Sequence, residues 1–432
     1  MQIKIRPSKL SGSIAIPSSK SHTIRALIFS MMAKGKSKIS NPLISPDTFA
    51  MLDAMRSFGA KIKMENKSFI VEGTNGKLKP ADNIIECGNS GQVLRFIGAL
   101  AALLPSYTVL TGDFSIRHNR PVGPLLSALT QLGAFATSTR LDGYAPIVIK
   151  GPLNKESATL DGSDSQPVSG LLMLGAFIPL ELFVTNPGEK PWVNLTLSWF
   201  DKLGIAYENR NFEHYKMKGG AQLDGFDSSV AADFSSAAFP IAAALLTNSE
   251  IGLKNIDLTD VQGDKAIIGI LKSMGATFES HGSYFKILQS EKLKGARIDV
   301  NDFIDALPIL AVIACFANSK TEIVNGAIAR KKESDRIHCI ALELKKMGAN
   351  IEETPDGLII YPSKLSGSIH LDSHKDHRIA MALTVAALAS EGESFIDGVE
   401  CVEKSYPTFF DDLKQLGAQI ETSFAKSLCG VS

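Results

Sequence analysis

The chain has no surplus charge of either sign: in its 432 residues, 45 Lys and Arg balance 45 Asp and Glu. No whole-molecule field is available to hold nucleic acid or an anionic membrane, so charge-driven binding must be local. Cysteine is scarce. The five, Cys87, Cys315, Cys339, Cys401 and Cys429, show no CxxC or Cys/His spacing, which argues against a zinc site and a disulfide framework. The eight histidines show no ligand spacing either. Long hydrophobic runs are missing: 306–317 and 379–389, among the longest apolar stretches, are too short to cross a bilayer and suit buried helices. The N-terminus alternates like a strand from Gln2 to Arg6 and lacks the apolar core and cleavage site of a secretory signal, which reads as cytoplasmic.

What is present is repetition. Hydrophobic residues make up 44% of the chain, enough to fill the cores of two or three domains. A phrase of an apolar residue, two mostly polar residues, an apolar residue, Gly and usually Ala runs from Met55-Arg56-Ser57-Phe58-Gly59-Ala60 to Leu413-Lys414-Gln415-Leu416-Gly417-Ala418. Its glycines are Gly59, Gly133, Gly204, Gly275, Gly348 and Gly417. A period of roughly 70 residues exceeds that of solenoids and predicts six small α/β subdomains. Each phrase predicts the last turn of an amphipathic helix, closed by a left-handed Gly before a strand.

A second set of helices, apolar on nearly all sides, is predicted to begin near Lys20, Asn89, Asp164, Asp233, Asp305 and Asp376. Such helices are buried, with polar residues confined to their starts. Helix N-termini carry unpaired N–H groups and partial positive charge; two groups of three with their starts facing one cleft would attract a highly anionic ligand. Several starts also carry cations, where the helix dipole disfavours them. Lys20 precedes Ser21, with Arg25 a turn later; Lys332 and Arg336 fall at i and i+4, expected on one face of a helix start; Arg378 follows Asp376-His377; and Asn89-Ser90-Gly91-Gln92 is followed by Arg95. Each such cation costs about 0.3–1 kcal/mol against the dipole. A bound anion about 4 Å away reverses this by roughly 4 kcal/mol at an effective dielectric of 20. The alternative for any one of them is a solvated surface charge, and for Asp305 a plain helix cap.

At these residues the chain resembles the 5-enolpyruvylshikimate-3-phosphate synthases. The resemblance rests on Ser19-Lys20-Ser21 leading to Arg25-Ala26-Leu27, Asn89-Ser90-Gly91, Arg120-Pro121-Val122-Gly123, Lys332-Glu333-Ser334-Asp335-Arg336 and Asp376-His377-Arg378-Ile379-Ala380-Met381, in the family's order. It implies an α/β (α+β) fold, a two-domain inside-out α/β barrel whose domains are each three βαβαββ repeats with buried helices. One domain would comprise 1–18 and 231–432, the other 19–230, closing on substrate. It further implies transfer of enolpyruvyl from phosphoenolpyruvate to shikimate 3-phosphate, on the route to chorismate and aromatic amino acids, by a monomer with no metal, organic cofactor, nucleic acid or membrane. Shikimate 3-phosphate would meet Lys20, Ser21, Arg25, Ser165, Gln166, Trp192, Asp305 and Lys332. Phosphoenolpyruvate would meet Lys20, Asn89, Gly91, Arg120, Gln166, Arg336, Arg378 and Lys404. Asp305 would take the hydroxyl proton, with Glu333 and Lys20 handling protons at the methylene carbon.

The chain departs from the family's pattern in places. Gln92 stands where Thr is common, and Ile328 where Asn is. Gly162-Ser163-Asp164-Ser165-Gln166 is a shortened loop that leaves Asp164 and Ser165 both open as the phosphate ligand. Glu189 stands where many members have Ser, and is not expected to bind phosphate; Trp192 would offer a ring face. Two other readings compete. A sister enzyme acting on UDP-N-acetylglucosamine is disfavoured because 113–121 contains no Cys. A catalytically dead binder of anionic metabolites would bind both substrates without releasing phosphate.

Overall fold

Glycine decides where the helices stop. In the computed structural model, which describes residues 1–367 and 369–423, all six phrase glycines are left-handed, from φ 69° at Gly204 to φ 110° at Gly275. They follow the helices Pro46–Ser57, Gly123–Gln131, Lys190–Leu203, Ala266–Ser273, Arg336–Lys346 and Phe409–Gln415. A strand begins within a few residues of each, as expected of chain that reverses direction at a residue without a Cβ. Cys429 lies outside the described residues; Cys87, Cys315, Cys339 and Cys401 are free thiols.

Six four-stranded sheets result. One shows the plan. Ser157–Asp161 pairs parallel with Leu180–Thr185 across the helix Ser165–Gly175, and His214–Met217 then pairs antiparallel with both Leu180–Thr185 and Glu208–Arg210. This is the βαβαββ unit. The parallel pair requires a crossover, and its helix is the buried one. The buried helices are Lys20–Met32, Gly91–Ala101, Ser165–Gly175, Phe234–Leu246, Leu307–Phe316 and His377–Ala389. All begin within two residues of the predicted starts. In four of them every residue, or all but one, is buried, including Phe96, Leu172, Ile313 and Met381. Helices packed this tightly need small residues at their crossing: a Cβ on Gly170 would lie 2.9 Å from the Arg95 carbonyl oxygen.

The chain divides into two compact units of three sheets each. A terminal unit comprises Met1–Pro17, Phe234–Leu258 and the chain from Asp264; a central unit comprises Ser18–Asp233 with Thr259–Gly263. In the terminal unit, Gln2–Arg6 lies between Ser394–Asp397 and Gln419–Ser423, and Ser11–Ala15 opens another sheet beside Glu250–Lys254. The first strand thus completes a sheet whose other strands come from the far end of the sequence, and the second completes one built from 250–287. In the central unit, Asp227–Ser229 likewise pairs with Lys36–Ser40. Thr259–Gly263 falls within 231–432, read from sequence as part of the other domain. It belongs to the central unit because Asp260 bonds the His22 ring at 3.1 Å and the Gln262 amide donates to the Ala232 carbonyl at 2.8 Å. Among the described residues no helix is long and apolar enough to cross a membrane.

Candidate functional site

In the central unit, three buried helices present their starts. Ser19, Ser90 and Asp164 cap them, accepting from the backbone N–H of His22, Val93 and Gln166. The first helix carries Lys20, Ser21 and Arg25. Lys20 Nζ pairs with Asp47 at 3.1 Å, a buried carboxylate on the next helix. Arg25 is 2% exposed and donates to Thr196 Oγ1, the Ser21 carbonyl and the Trp192 carbonyl, at 2.9, 3.1 and 2.9 Å. None of these acceptors is charged. The Phe96 ring, 5.4 Å from Cζ, gives partial cation–π compensation, yet burial still pushes the guanidinium down to about 9. A buried cation without a carboxylate is a standing demand for an anion.

The second helix start shows why residue 91 is glycine. A Cβ there would meet Arg120 Nη2 at 2.3 Å and Arg95 Nη1 at 2.6 Å, so two guanidinium groups crowd the backbone at this point. Arg95, completely buried, holds the turn together. It donates to the Gly91 carbonyl, Gln166 Oε1 and the Pro121 carbonyl, at 3.4, 3.1 and 2.7 Å, and pairs with Asp164 at 3.1 Å. Gln92 donates to Ser21 Oγ at 3.2 Å, and its buried Oε1 has no hydrogen-bond partner among the described residues. Asn89 turns toward Asp113 at 2.6 Å.

At the third start, Asp164 caps Gln166 N–H and faces Arg95, while the N–H and Oγ of Ser165 donate to Glu189 Oε2 at 3.0 and 3.1 Å. Trp192 is half-buried, two residues into the helix Lys190–Leu203.

The terminal unit gathers its charged residues more tightly. Arg336, 1% exposed, donates from Nε to Asp376 at 2.8 Å, from Nη1 to Asp305 at 2.7 Å and from Nη2 to Glu333 at 2.8 Å. Glu333 also accepts from Lys404 at 2.6 Å, and Asp305 from Arg378 Nη2 at 3.2 Å. The buried Nε and Nη1 of Arg378 have no hydrogen-bond partner among the described residues, although Phe239 lies 5.9 Å from its Cζ. Burial would raise the Asp305 carboxyl, but Arg378, Arg336 and Lys332 outweigh it and hold Asp305 well below the usual carboxylate range. Burial likewise opposes the charge on Arg336, and Asp376, Glu333 and Asp305 raise it well above its ordinary value. Four cations, Lys332, Arg336, Arg378 and Lys404, therefore surround three carboxylates.

One sequence expectation is corrected here, and one alternative weighed against an expectation is set aside. Lys332 and Arg336 do not share a helix face: Lys332 ends the 3-10 turn Ala327–Lys331, and Asp335 caps a helix that begins only at Arg336. Nor is Asp305 a plain cap. It lies in the turn Asn301–Ala306, the following helix has no side-chain cap, and its carboxylate bonds two arginines. Within the central unit, Gly91 and Gln166 lie against Arg95, with Arg120 beside Gly91, and Ser21 lies against Gln92; Asn89 bonds away toward Asp113. Within the terminal unit, Asp305, Glu333, Arg336, Arg378 and Lys404 form one network, and Lys332 acts electrostatically on Asp305. Sequence reasoning read Arg95 as a cation awaiting an anion and gave no binding role to Asp376 or Asp47, yet these three are the partners that fix the groups. Asp376 stands inside a quoted motif and Arg95 just after one, whereas nothing local marks Asp47 as the partner of Lys20.

The model of the family described as "EPSP synthase (3-phosphoshikimate 1-carboxyvinyltransferase)" matches residues 5–413. A 3-phosphoshikimate 1-carboxyvinyltransferase of Acetivibrio thermocellus is 45% identical over 98% of this chain and 100% of its own length. One from Ruminiclostridium cellulolyticum is 43% identical, again over 98% of this chain and 100% of its own. Among solved structures, the EPSP synthase of Acinetobacter baumannii superposes with a TM-score of 0.80 at 28% identity, covering 98% of this chain and 100% of that one.

Proposed function

The chain belongs to the EPSP synthase family, and we propose that the residues described above carry that family's reaction in it. It transfers the enolpyruvyl group of phosphoenolpyruvate to the 5-hydroxyl of shikimate 3-phosphate and releases phosphate. The hydroxyl adds to C2 while C3 gains a proton; loss of a C3 proton then expels phosphate from the tetrahedral intermediate. Such chemistry needs an acid, a base and fixed positive charge around the leaving group.

The observation that carries the assignment of roles is Asp305 held between Arg336 and Arg378. In this state Asp305 is ionised and a poor base. An anion taking the open donors of Arg378 would weaken that cation's hold, and Asp305 would regain basicity as the reaction needs it. Asp305 accepts the hydroxyl proton, while Glu333 and Lys20 handle protons at the methylene carbon. Arg378, Lys404, Arg120, Gly91, Asn89 and Gln166 receive phosphoenolpyruvate. Arg25, Ser21, Lys20, Ser165, Gln166, Trp192 and Lys332 receive shikimate 3-phosphate. Arg336, its donors committed to three carboxylates, orients Asp305 and Glu333 and offers its charge to phosphoenolpyruvate at the edge of that network. The balanced net charge supports a reading without nucleic acid, and the family resemblance supports a cytoplasmic monomer.

Phosphate release is the test. The purified chain with both substrates should liberate one phosphate per enolpyruvyl transferred, and neither substrate alone should do so. Binding of both without release would establish the dead-binder alternative instead.

A further inference from the structure

Ser165 is the first residue of a buried helix and 3% exposed, and its two donors are already taken. Both its N–H and its hydroxyl point at one carboxylate oxygen of Glu189, itself 2% exposed. An anion accepting a helix-terminal N–H and a serine hydroxyl makes the contacts a phosphate oxygen would make there. Here the protein supplies that anion itself. The backbone at Glu189 is left-handed, φ 47°, which a residue with a Cβ adopts only when its surroundings impose it. The loop behind it cannot back away: Gly188 N–H donates to the Gly162 carbonyl at 3.0 Å, and a Cβ on Gly188 would lie 2.8 Å from the Ser163 carbonyl oxygen. Only the side chain can leave.

We propose that Glu189 is an internal stand-in for the substrate's phosphate, exchanged for it when shikimate 3-phosphate binds, and that it thereby sets the affinity for that substrate. The proposal rests on the functional reading above, in which Ser165 meets the phosphate. With the carboxylate in place a phosphate cannot use Ser165, and two like charges at one pair of donors repel. Binding therefore proceeds by exchange, and each new contact to Ser165 replaces one that already existed. The residue thus discriminates against the phosphorylated substrate rather than for it.

The experiment first measures turnover of both substrates by the wild-type chain, then titrates shikimate 3-phosphate and unphosphorylated shikimate into wild type, Glu189→Gln and Glu189→Ser. Gln keeps the shape and an acceptor for Ser165 but removes the charge. The expected result is about tenfold tighter binding of shikimate 3-phosphate in both variants, with shikimate binding and the KM for phosphoenolpyruvate changed less than about twofold. Unchanged or weaker binding of shikimate 3-phosphate in folded variants overturns the inference. A crystal structure of wild type with shikimate 3-phosphate needs no variant: a phosphate oxygen on Ser165 with Glu189 withdrawn supports it, and Glu189 still on Ser165 overturns it. No turnover and no binding in wild type would sink the functional reading instead.

Discussion

Replacing Gly91 with Ala adds one methyl group where two guanidinium groups leave no room for it. The new carbon would lie 2.3 Å from Arg120 Nη2, 2.6 Å from Arg95 Nη1 and 2.9 Å from Arg120 Cζ, against an ordinary contact of about 3.5–4 Å. Arg95 is the less able to yield, being tied to Gln166, the Pro121 carbonyl and Asp164. Arg120 must therefore retreat by about 1 Å, and at 4% exposure it has little space to retreat into. Overpacking of this kind costs about 1–3 kcal/mol. A shift of that size in a substrate-positioning group can cost about a hundredfold in rate. Because Arg120 is assigned to phosphoenolpyruvate, the loss should fall on that substrate: kcat/KM for phosphoenolpyruvate down about 10- to 100-fold, and the KM for shikimate 3-phosphate changed less than about twofold. Steady-state phosphate release with each substrate varied in turn gives both constants. A kcat/KM for phosphoenolpyruvate within about twofold of wild type would refute the placement of Arg120. A loss shared equally by both substrates would mean that the turn as a whole had collapsed.

Asp305→Ala should lower turnover by at least about a hundredfold while leaving shikimate 3-phosphate binding measurable by calorimetry; near-normal turnover removes Asp305 from the base role. Asp376→Ala takes a fully buried carboxylate from Arg336, Ser334 and the Arg378 N–H, and should destabilise the protein by about 3–5 kcal/mol, read from urea unfolding midpoints. A third effect is pH-dependent. Cys339 and then Glu343 raise His374 to about 10, above the unfolded value, so this contact stabilises fully below about pH 6.5 and loses its contribution as pH rises toward 10. The thermal midpoint of wild type should fall more steeply over that window than that of His374→Gln, and parallel curves would exclude the contact as a source of stability.

The parts of the fold legible in the sequence were those with local causes. Gly59 and its five counterparts could be placed because a helix that reverses into a strand needs a left-handed residue, and that need is met within a few positions. The buried helices announced themselves by apolar residues on every face. What the sequence left open or misplaced depended on partners distant in sequence or on a local signal passed over. A plain cap stood as the alternative for Asp305 because its own neighbours suit a helix start; only the arrival of Arg336 and Arg378 turns its carboxylate elsewhere. Lys332 and Arg336 looked like an i, i+4 pair, although Asp335 between them carried the cap signal that starts the helix at Arg336. The pairing of Lys20 with Asp47, and of Ser165 with Glu189, joins different helices and has no local signature.

The cations at the helix starts also fall into two kinds, which the dipole argument from sequence could not separate. Arg95 and Arg336, each 0–1% exposed, are bound to acceptors of their own unit that include carboxylates. Their charge is met before any substrate arrives, and removing either takes an ion-pair partner from Asp164 or from Asp305, Glu333 and Asp376. Arg25 and Arg378 are nearly as buried, but Arg25 bonds only neutral oxygens, and Arg378 leaves two buried donors unused. Burial without full compensation is unfavourable for the folded chain alone, and a bound anion is the ligand that relieves it. Substituting the first pair should therefore lower stability in the absence of substrate. Arg25→Gln should leave the unliganded thermal midpoint nearly unchanged and reduce the rise that shikimate 3-phosphate gives the wild type; Arg378→Gln, which also gives up the ion pair with Asp305, should lose less stability than Arg336→Gln and reduce the rise that phosphoenolpyruvate gives. If all four variants lost the same stability without ligand, the distinction between organising and ligand-seeking arginines would fail.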